Sequence, residues 1–237
     1  MPRSLTAIAI EGIAEIRVGD ELAVHIADAA AAQGTPVQSL DCVVVTQKVV
    51  SKAEGRLVAL DHEDLAAKIA LVESESVRIV RRRGDLIISE TRHGFICANA
   101  GIDLSNVEAG TAALLPLDPD RSAQHIRDAF RARAGFEVAV IISDTFGRPW
   151  RNGLTDVAIG ISGIAGVVDL RDTPDATGRI LKVTEVAIAD EIAAAAELVM
   201  GKADGVPAAL VRGLDAQWFR NGNARELIRP ASEDLFR

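Results

Sequence analysis

Apolar residues fall into short runs separated by polar clusters, and the runs switch between strand-like and helix-like periods. Residues 5–10 predict a short strand. Residues 21–32 carry apolar positions at helical spacing, opened by Gly19-Asp20 and closed by Gly34, which predicts an amphipathic helix. Residues 42–45 read as a buried strand and residues 64–72 as a helix. Arg81-Arg82-Arg83-Gly84 predicts a basic turn, followed by a strand pair over 86–89 and 95–98 joined through His93-Gly94. Asp118-Pro119-Asp120 opens a helix to about residue 134. Proline suits the first helical position, acids favour the helix N-terminus, and Gly135 ends it. Residues 137–142 predict a buried strand that ends in an exposed polar turn. A small apolar run covers 157–161. Residues 180–186 predict a strand, 189–200 an Ala-rich helix stopped by Gly201, and 206–211 a last strand. Helices and strands mix without regular βαβ alternation, so the pattern predicts an α+β fold of mixed sheets with packed helices.

Composition narrows the class. The chain has 237 residues, 49% of them hydrophobic, enough to bury a sizeable core in one large domain or two small interlocked ones. The formal net charge of −8 argues against a general nucleic-acid binder. Cys42 and Cys97 both lie inside apolar runs, which fits a reducing cytoplasm better than a disulfide scaffold. No stretch reaches the roughly 18 apolar residues of a membrane span, and no signal-like segment opens the chain. The expectation is a cytoplasmic protein with no membrane partner.

Four polar clusters sit at the ends of apolar runs, where α/β layouts meet ligands. Ser143-Asp144-Thr145-Phe146-Gly147-Arg148-Pro149-Trp150-Arg151-Asn152-Gly153 sets an acid and hydroxyls beside two guanidinium groups. That set suits a metal-bound phosphate; the alternative is a polar turn in which Asp binds its own backbone. Thr46 to Arg56 places Lys48, Lys52 and Arg56 four apart, one face of a helix that could meet a polyphosphate or simply face solvent. Asn99-Ala100-Gly101-Ile102-Asp103-Leu104-Ser105-Asn106 offers hard oxygens, or an Asx turn with a helix cap. Met200-Gly201-Lys202-Ala203-Asp204-Gly205 could bring backbone N–H groups to a nucleotide, or could be a helix cap and turn. Of the histidines, His25, His62 and His125 fall in predicted helices as surface residues, and His93 lies in a turn.

On these blocks, together with Glu11-Gly12-Ile13, the chain resembles the F420-0:gamma-glutamyl ligase family from about residue 10 to 213. The resemblance implies a GTP-dependent ligase that joins L-glutamate to coenzyme F420-0 through an acyl phosphate, then adds a further γ-linked glutamate. It also implies Mg²⁺ or Mn²⁺, two per active site, with room for a monovalent cation such as K⁺, and an intertwined homodimer. Carried residue by residue, Asp103, Asp144 and Thr145 match metal positions, and Asp103, Asp144 and Arg148 become the catalytic candidates. Glu11, Gly12, Ile13, Ala14, Gln47, Lys52, Asn106, Met200, Gly201, Lys202, Ala203, Asp204 and Gly205 match positions that bind the guanine nucleotide. Two departures stand out. Lys202 replaces a Glu that in some archaeal members helps hold the second metal, in a loop that looks one residue shorter. Ala14 replaces a frequent Pro. Some actinobacterial relatives carry a further flavin-binding, nitroreductase-like domain, which this chain is expected to lack. Two rival readings stay open: a nucleotide-binding regulatory or scaffold protein, and a ligase of the same chemistry on another carboxylated cofactor.

Overall fold

The computed structural model describes residues 4–105 and 107–235. In chain order the elements are β1 (Thr6–Ala9), α1 (Leu22–Ala32), β2 (Cys42–Thr46), α2 (Gln47–Ala53), β3 (Leu57–Ala59), α3 (Leu65–Ser74), β4 (Ser76–Arg83), β5 (Leu86–Thr91) and β6 (Ile96–Ala98). There follow β7 (Thr111–Ala113), α4 (Pro119–Ala134), β8 (Ala139–Arg148), β9 (Arg151–Ser162), β10 (Val168–Asp169), β11 (Glu185–Val186), α5 (Ile188–Met200) and β12 (Ala208–Arg212). The α+β expectation holds. No helix among the described residues is long and apolar enough to cross a membrane.

A mixed five-stranded sheet, ordered β1-β12-β2-β8-β9, organises the described residues. Only β2 and β8 run parallel; the other neighbours are antiparallel. Cys42, Val43, Val44 and Val45 are all fully buried. Consecutive strand residues point to opposite faces, so both faces of β2 are covered. Helix α4 packs on β8 and β9 and meets α1, while α5 packs on β1, β12 and β9. Phe130 of α4, Ile26 of α1, Ile192 of α5 and Ile141 of β8 belong to one continuous core.

Local chemistry explains the helix ends. The Asp118 carboxylate accepts from the backbone N–H of Arg121, Pro119 follows it, and Gly135 takes φ +74° after the last turn of α4. These are the capping devices the sequence showed. Gly160 is needed for a different reason. A Cβ there would stand 2.4 Å from the carbonyl oxygen of Pro119, so the start of α4 lies directly on β9.

A smaller sheet, β4-β5-β6, stands beside the main one. Its inner face packs Ile87 against Val72 of α3 and Ala100.

Several expectations are corrected. Residues 143–148 do not leave the sheet as an exposed turn: β8 continues to Arg148 and returns as β9, so only Pro149-Trp150 turns. Arg81, Arg82 and Arg83 end strand β4 rather than forming a turn, and Gly84-Asp85 turns instead. Only Glu185–Val186 of the predicted 180–186 strand is a strand proper; Ile180 makes an isolated bridge to Pro174. Arg56 lies past the end of α2, beyond Gly55 at φ +68°, so it leaves the Lys48/Lys52 face. His62 precedes α3 and bonds the carbonyl of Thr111.

Candidate active site

The sheet order decides where the polar clusters meet. Because β2 and β8 are parallel, Thr46 pairs with Ser143 and both strands deliver their C-terminal residues to one edge. Strand β12 runs antiparallel to β2, with Ala208 opposite Val45, so the residues just before β12 reach the same edge. Strand β1 brings Ala9 opposite Ala209, so the segment that follows it arrives there too. Four segments far apart in sequence thus converge at strand ends, where α/β sheets bind ligands. With β5 and the 97–105 segment as the facing wall, they enclose a cleft of about 770 Å³. That size suits a nucleotide-scale ligand.

The floor carries a compact charge network. Asp144 lies on β8, with its carboxylate accepting from the backbone N–H of Thr145 at 2.8 Å. Thr145 pairs across the hairpin with Asp156, and its Oγ1 donates to Asp156 Oδ1 at 2.7 Å. Ser143 Oγ donates to the other oxygen of Asp156 at 2.9 Å. Asp156 is 2% exposed, and the Lys202 ammonium sits 2.6 Å from it while also bonding Thr145 Oγ1. A register shift between Ile142 and Ser143 marks a bulge, a device that re-aims side chains beside sites.

Lys48 and Lys52, one turn apart on α2, both face the cleft. Lys48 Nζ lies 2.9 Å from Asp103 and 3.0 Å from Ser105 Oγ, and Lys52 bonds Glu15. Asp103 is held by a strained turn. Asn99 (φ +50°), Ala100 (+54°) and Gly101 (+71°) are three successive left-handed residues, costly for the first two. The Asn99 carboxamide oxygen accepts from Ile87 N–H, tying this turn to β5.

The two candidate metal carboxylates differ in protonation. Burial raises Asp144 to about 7, opposed by the Thr145 N–H and reinforced by the charges of Asp103 and Asp156. Burial also presses Asp103 upward, but hydrogen bonds from Lys48 and Ser105 win and hold it below the usual carboxylate range. Near neutrality Asp103 is ionised and Asp144 is poised, a separation typical of working sites. Among the described residues no three His, Cys, Asp or Glu side chains form a metal cage. The donors present are carboxylates and hydroxyls, which fit Mg²⁺ or Mn²⁺ because these take one or two carboxylates plus ligand oxygens. The raised Asp144 also fits: a cation there would offset the like charges that crowd it.

Most expected site residues meet in this cleft. Ile13, Ala14, Gln47, Lys52, Asp103, Asp144, Thr145, Gly201, Lys202, Ala203 and Gly205 line it. Gln47 is 2% exposed, and its amide nitrogen has no partner among the described residues. Glu11, Gly12, Met200, Asp204 and Arg148 are not among the lining residues. Met200 is a core side chain, Asp204 folds back over Gly201, and Arg148 donates to the Asn152 carbonyl in the hairpin. Asn106 lies outside the described residues. Sequence reasoning missed Asp156 and Glu15. An isolated acid just before the apolar run 157–161 was the available signal for Asp156, but only the hairpin return places it opposite Thr145.

Fold and cleft define an α+β protein with a strand-end cleft that gathers carboxylates, hydroxyls and lysines. The sequence comparisons make this specific. A family model described as F420-0:Gamma-glutamyl ligase matches residues 12–213. A "Coenzyme F420:L-glutamate ligase" of Methanothermobacter thermautotrophicus is 44% identical, with 98% of this chain and 99% of that protein covered. Proteins of the same name from Methanopyrus kandleri and Methanocaldococcus jannaschii are 43% and 42% identical, over 94% and 85% of this chain. The chain belongs to the F420-0:gamma-glutamyl ligase family.

Proposed function

We propose that this protein is the ligase of coenzyme F420 biosynthesis that joins the α-amine of L-glutamate to a carboxylate of F420-0, using GTP, and then adds a second glutamate in γ-linkage. The observation that carries the reading is the convergence of Asp103, Asp144 and Asp156 with Lys48, Lys52 and Lys202 beside the 201–205 loop, in a chain of this family.

A free carboxylate is a poor electrophile, so amide formation needs activation. Transfer of the γ-phosphoryl of GTP to the acceptor carboxylate gives an acyl phosphate and GDP. The glutamate amine then attacks the acyl carbon, the C–O bond to phosphate breaks, and phosphate leaves. Phosphoryl transfer rests chiefly on positioning and charge neutralisation. Lys48 and Lys52 reach into the cleft from α2 and supply positive charge to phosphate oxygens. Within the 202–205 loop the backbone can come close to the nucleotide at Gly205, where no side chain intervenes. The glutamate ammonium gives up its proton to water in the open cleft before the amine attacks. Asp103 and Asp144 would hold Mg²⁺ or Mn²⁺, which when bound neutralises charge on the transferring phosphoryl group. The Lys202 ammonium already places a positive charge at Asp156 and Thr145, so a second metal there has to displace it.

The test is mass spectrometry of products from F420-0, GTP, L-glutamate and Mn²⁺. Mass gains of one and two glutamyl units, with GDP release dependent on both F420-0 and glutamate, are expected. Nucleotide turnover without glutamate incorporation, by folded protein, would overturn the reading and favour a regulatory nucleotide binder or another carboxylated acceptor.

A further inference from the structure

In the proposed reaction the cleft lysines serve the nucleotide and the floor: Lys48 and Lys52 face its phosphates, and Lys202 pairs with Asp156. A negatively charged acceptor therefore needs further cationic partners. The β4–β5 hairpin offers them. Leu86 and Ile88 of β5 line the cleft. In the antiparallel register Leu86 is opposite Arg83, and Ile88 is opposite Arg81. Directly opposed residues of an antiparallel pair lie on the same face, so Arg81 and Arg83 extend the apolar cleft wall outward.

The neighbouring arginines confirm the alternation. Arg82 is opposite Ile87, on the other face, and pairs there with Glu73 of α3. Arg78 shares the cleft face but is engaged by Glu90 at 2.8 Å. Arg81 and Arg83 are exposed, and neither has an ion-pair partner among the described residues. The two strands join through the short Gly84-Asp85 turn, with Gly84 at φ +62°, directly beside Arg83.

We propose that Arg81 and Arg83 form an anion-binding ledge for the acceptor substrate, not for the nucleotide. The uncharged part of the acceptor lies along Leu86 and Ile88, and its carboxylate or phosphate groups reach the two guanidinium groups. Guanidinium groups match such oxyanions in a bidentate way. The ledge keeps an acceptor that has gained a glutamyl carboxylate, so it favours the second addition over release. This inference rests on the proposed ligase function.

The experiment compares wild type with Arg81→Gln/Arg83→Gln and Arg81→Lys/Arg83→Lys. It uses equilibrium dialysis of F420-0 and of the mono-glutamyl product, with steady-state kinetics in all three substrates. The Gln pair is expected to weaken acceptor binding by roughly tenfold, as for two exposed charge-assisted contacts, with larger loss for the mono-glutamyl acceptor. KM for GTP and glutamate should stay within about twofold, as should kcat for the first addition. The Lys pair should recover part of the affinity, and added salt should weaken wild type more steeply than the Gln pair. Unchanged acceptor binding in the Gln pair, with wild-type turnover intact, overturns the ledge and leaves the ligase reading standing. An equal rise in KM for GTP overturns the assignment to the acceptor. Failure of wild type to ligate glutamate to F420-0 overturns the ligase reading, and the ledge with it.

Discussion

Asp144→Asn isolates the electrostatics of the cleft floor. Asn keeps the shape and can still accept the Thr145 N–H, but it removes a carboxyl whose titration burial raises to about 7. Moving a carboxyl from 3.8 to about 7 corresponds to about 4 kcal/mol. Asp144 keeps partial contact with the cleft, and solvent screening reduces this to about 2 kcal/mol. The direction follows from linkage. Well below 3.8 the group is protonated in folded and unfolded chains alike and costs nothing. As pH rises from 4 through 7 the unfolded chain ionises first, so wild type loses stability that the Asn variant keeps. Denaturant unfolding of metal-free protein should therefore give similar stabilities near pH 3, and a variant more stable than wild type by about 2 kcal/mol at pH 8. Added Mg²⁺ at pH 8 should stabilise wild type and leave the variant almost unmoved, while GDP release by the variant falls to background. Parallel pH profiles for the two metal-free proteins would refute the reasoning. So would near-normal turnover by the variant.

Other consequences are as direct. Lys202→Met strips the half-exposed ammonium from the buried Asp156 and should cost about 1 kcal/mol without metal. Mg²⁺ or Mn²⁺ should recover much of this, and metal bound per chain, measured by elemental analysis after dialysis, should rise; an unchanged metal content would exclude Lys202 as the resident cation. Gly160→Ala drives a Cβ into the Pro119 carbonyl and should lower stability by about 2–3 kcal/mol with little change in KM. A melting temperature equal to wild type would show that α4 can shift. Light scattering should give twice the chain mass if the expected homodimer forms, and a monomer mass at micromolar concentration would remove that expectation.

Local signals were written plainly in the sequence. Asp118-Pro119 and Gly135 fixed both ends of α4, and Gly201 ended α5, because caps depend on residues within a turn of one another. The four polar clusters were visible for the same reason, since each is contiguous in the chain. The hairpin at 143–162 was not. Its first arm is apolar only to Ile142 and then turns polar, which reads as a strand end. Ser143 and Thr145 stay in the sheet because they bond Asp156 across the hairpin and line the cleft, while the tip from Gly147 to Leu154 is held by strand pairing in solvent. Arg81–Arg83 misled similarly: alternating sides of a strand is invisible when all three residues are charged.

The sequence by itself determined which residues could do chemistry, the class of fold and the family, because residue type, spacing and capping are properties of the chain. Only the tertiary structure decided that β2 and β8 run parallel, so that Gln47 and Asp144 share an edge. It alone set Asp156 opposite Thr145, seated the Lys202 ammonium between them, and put Arg81 and Arg83 on the strand face of Ile88 and Leu86 with Arg82 on the other. Those facts depend on strand order and register, which long-range pairing fixes and no local pattern encodes.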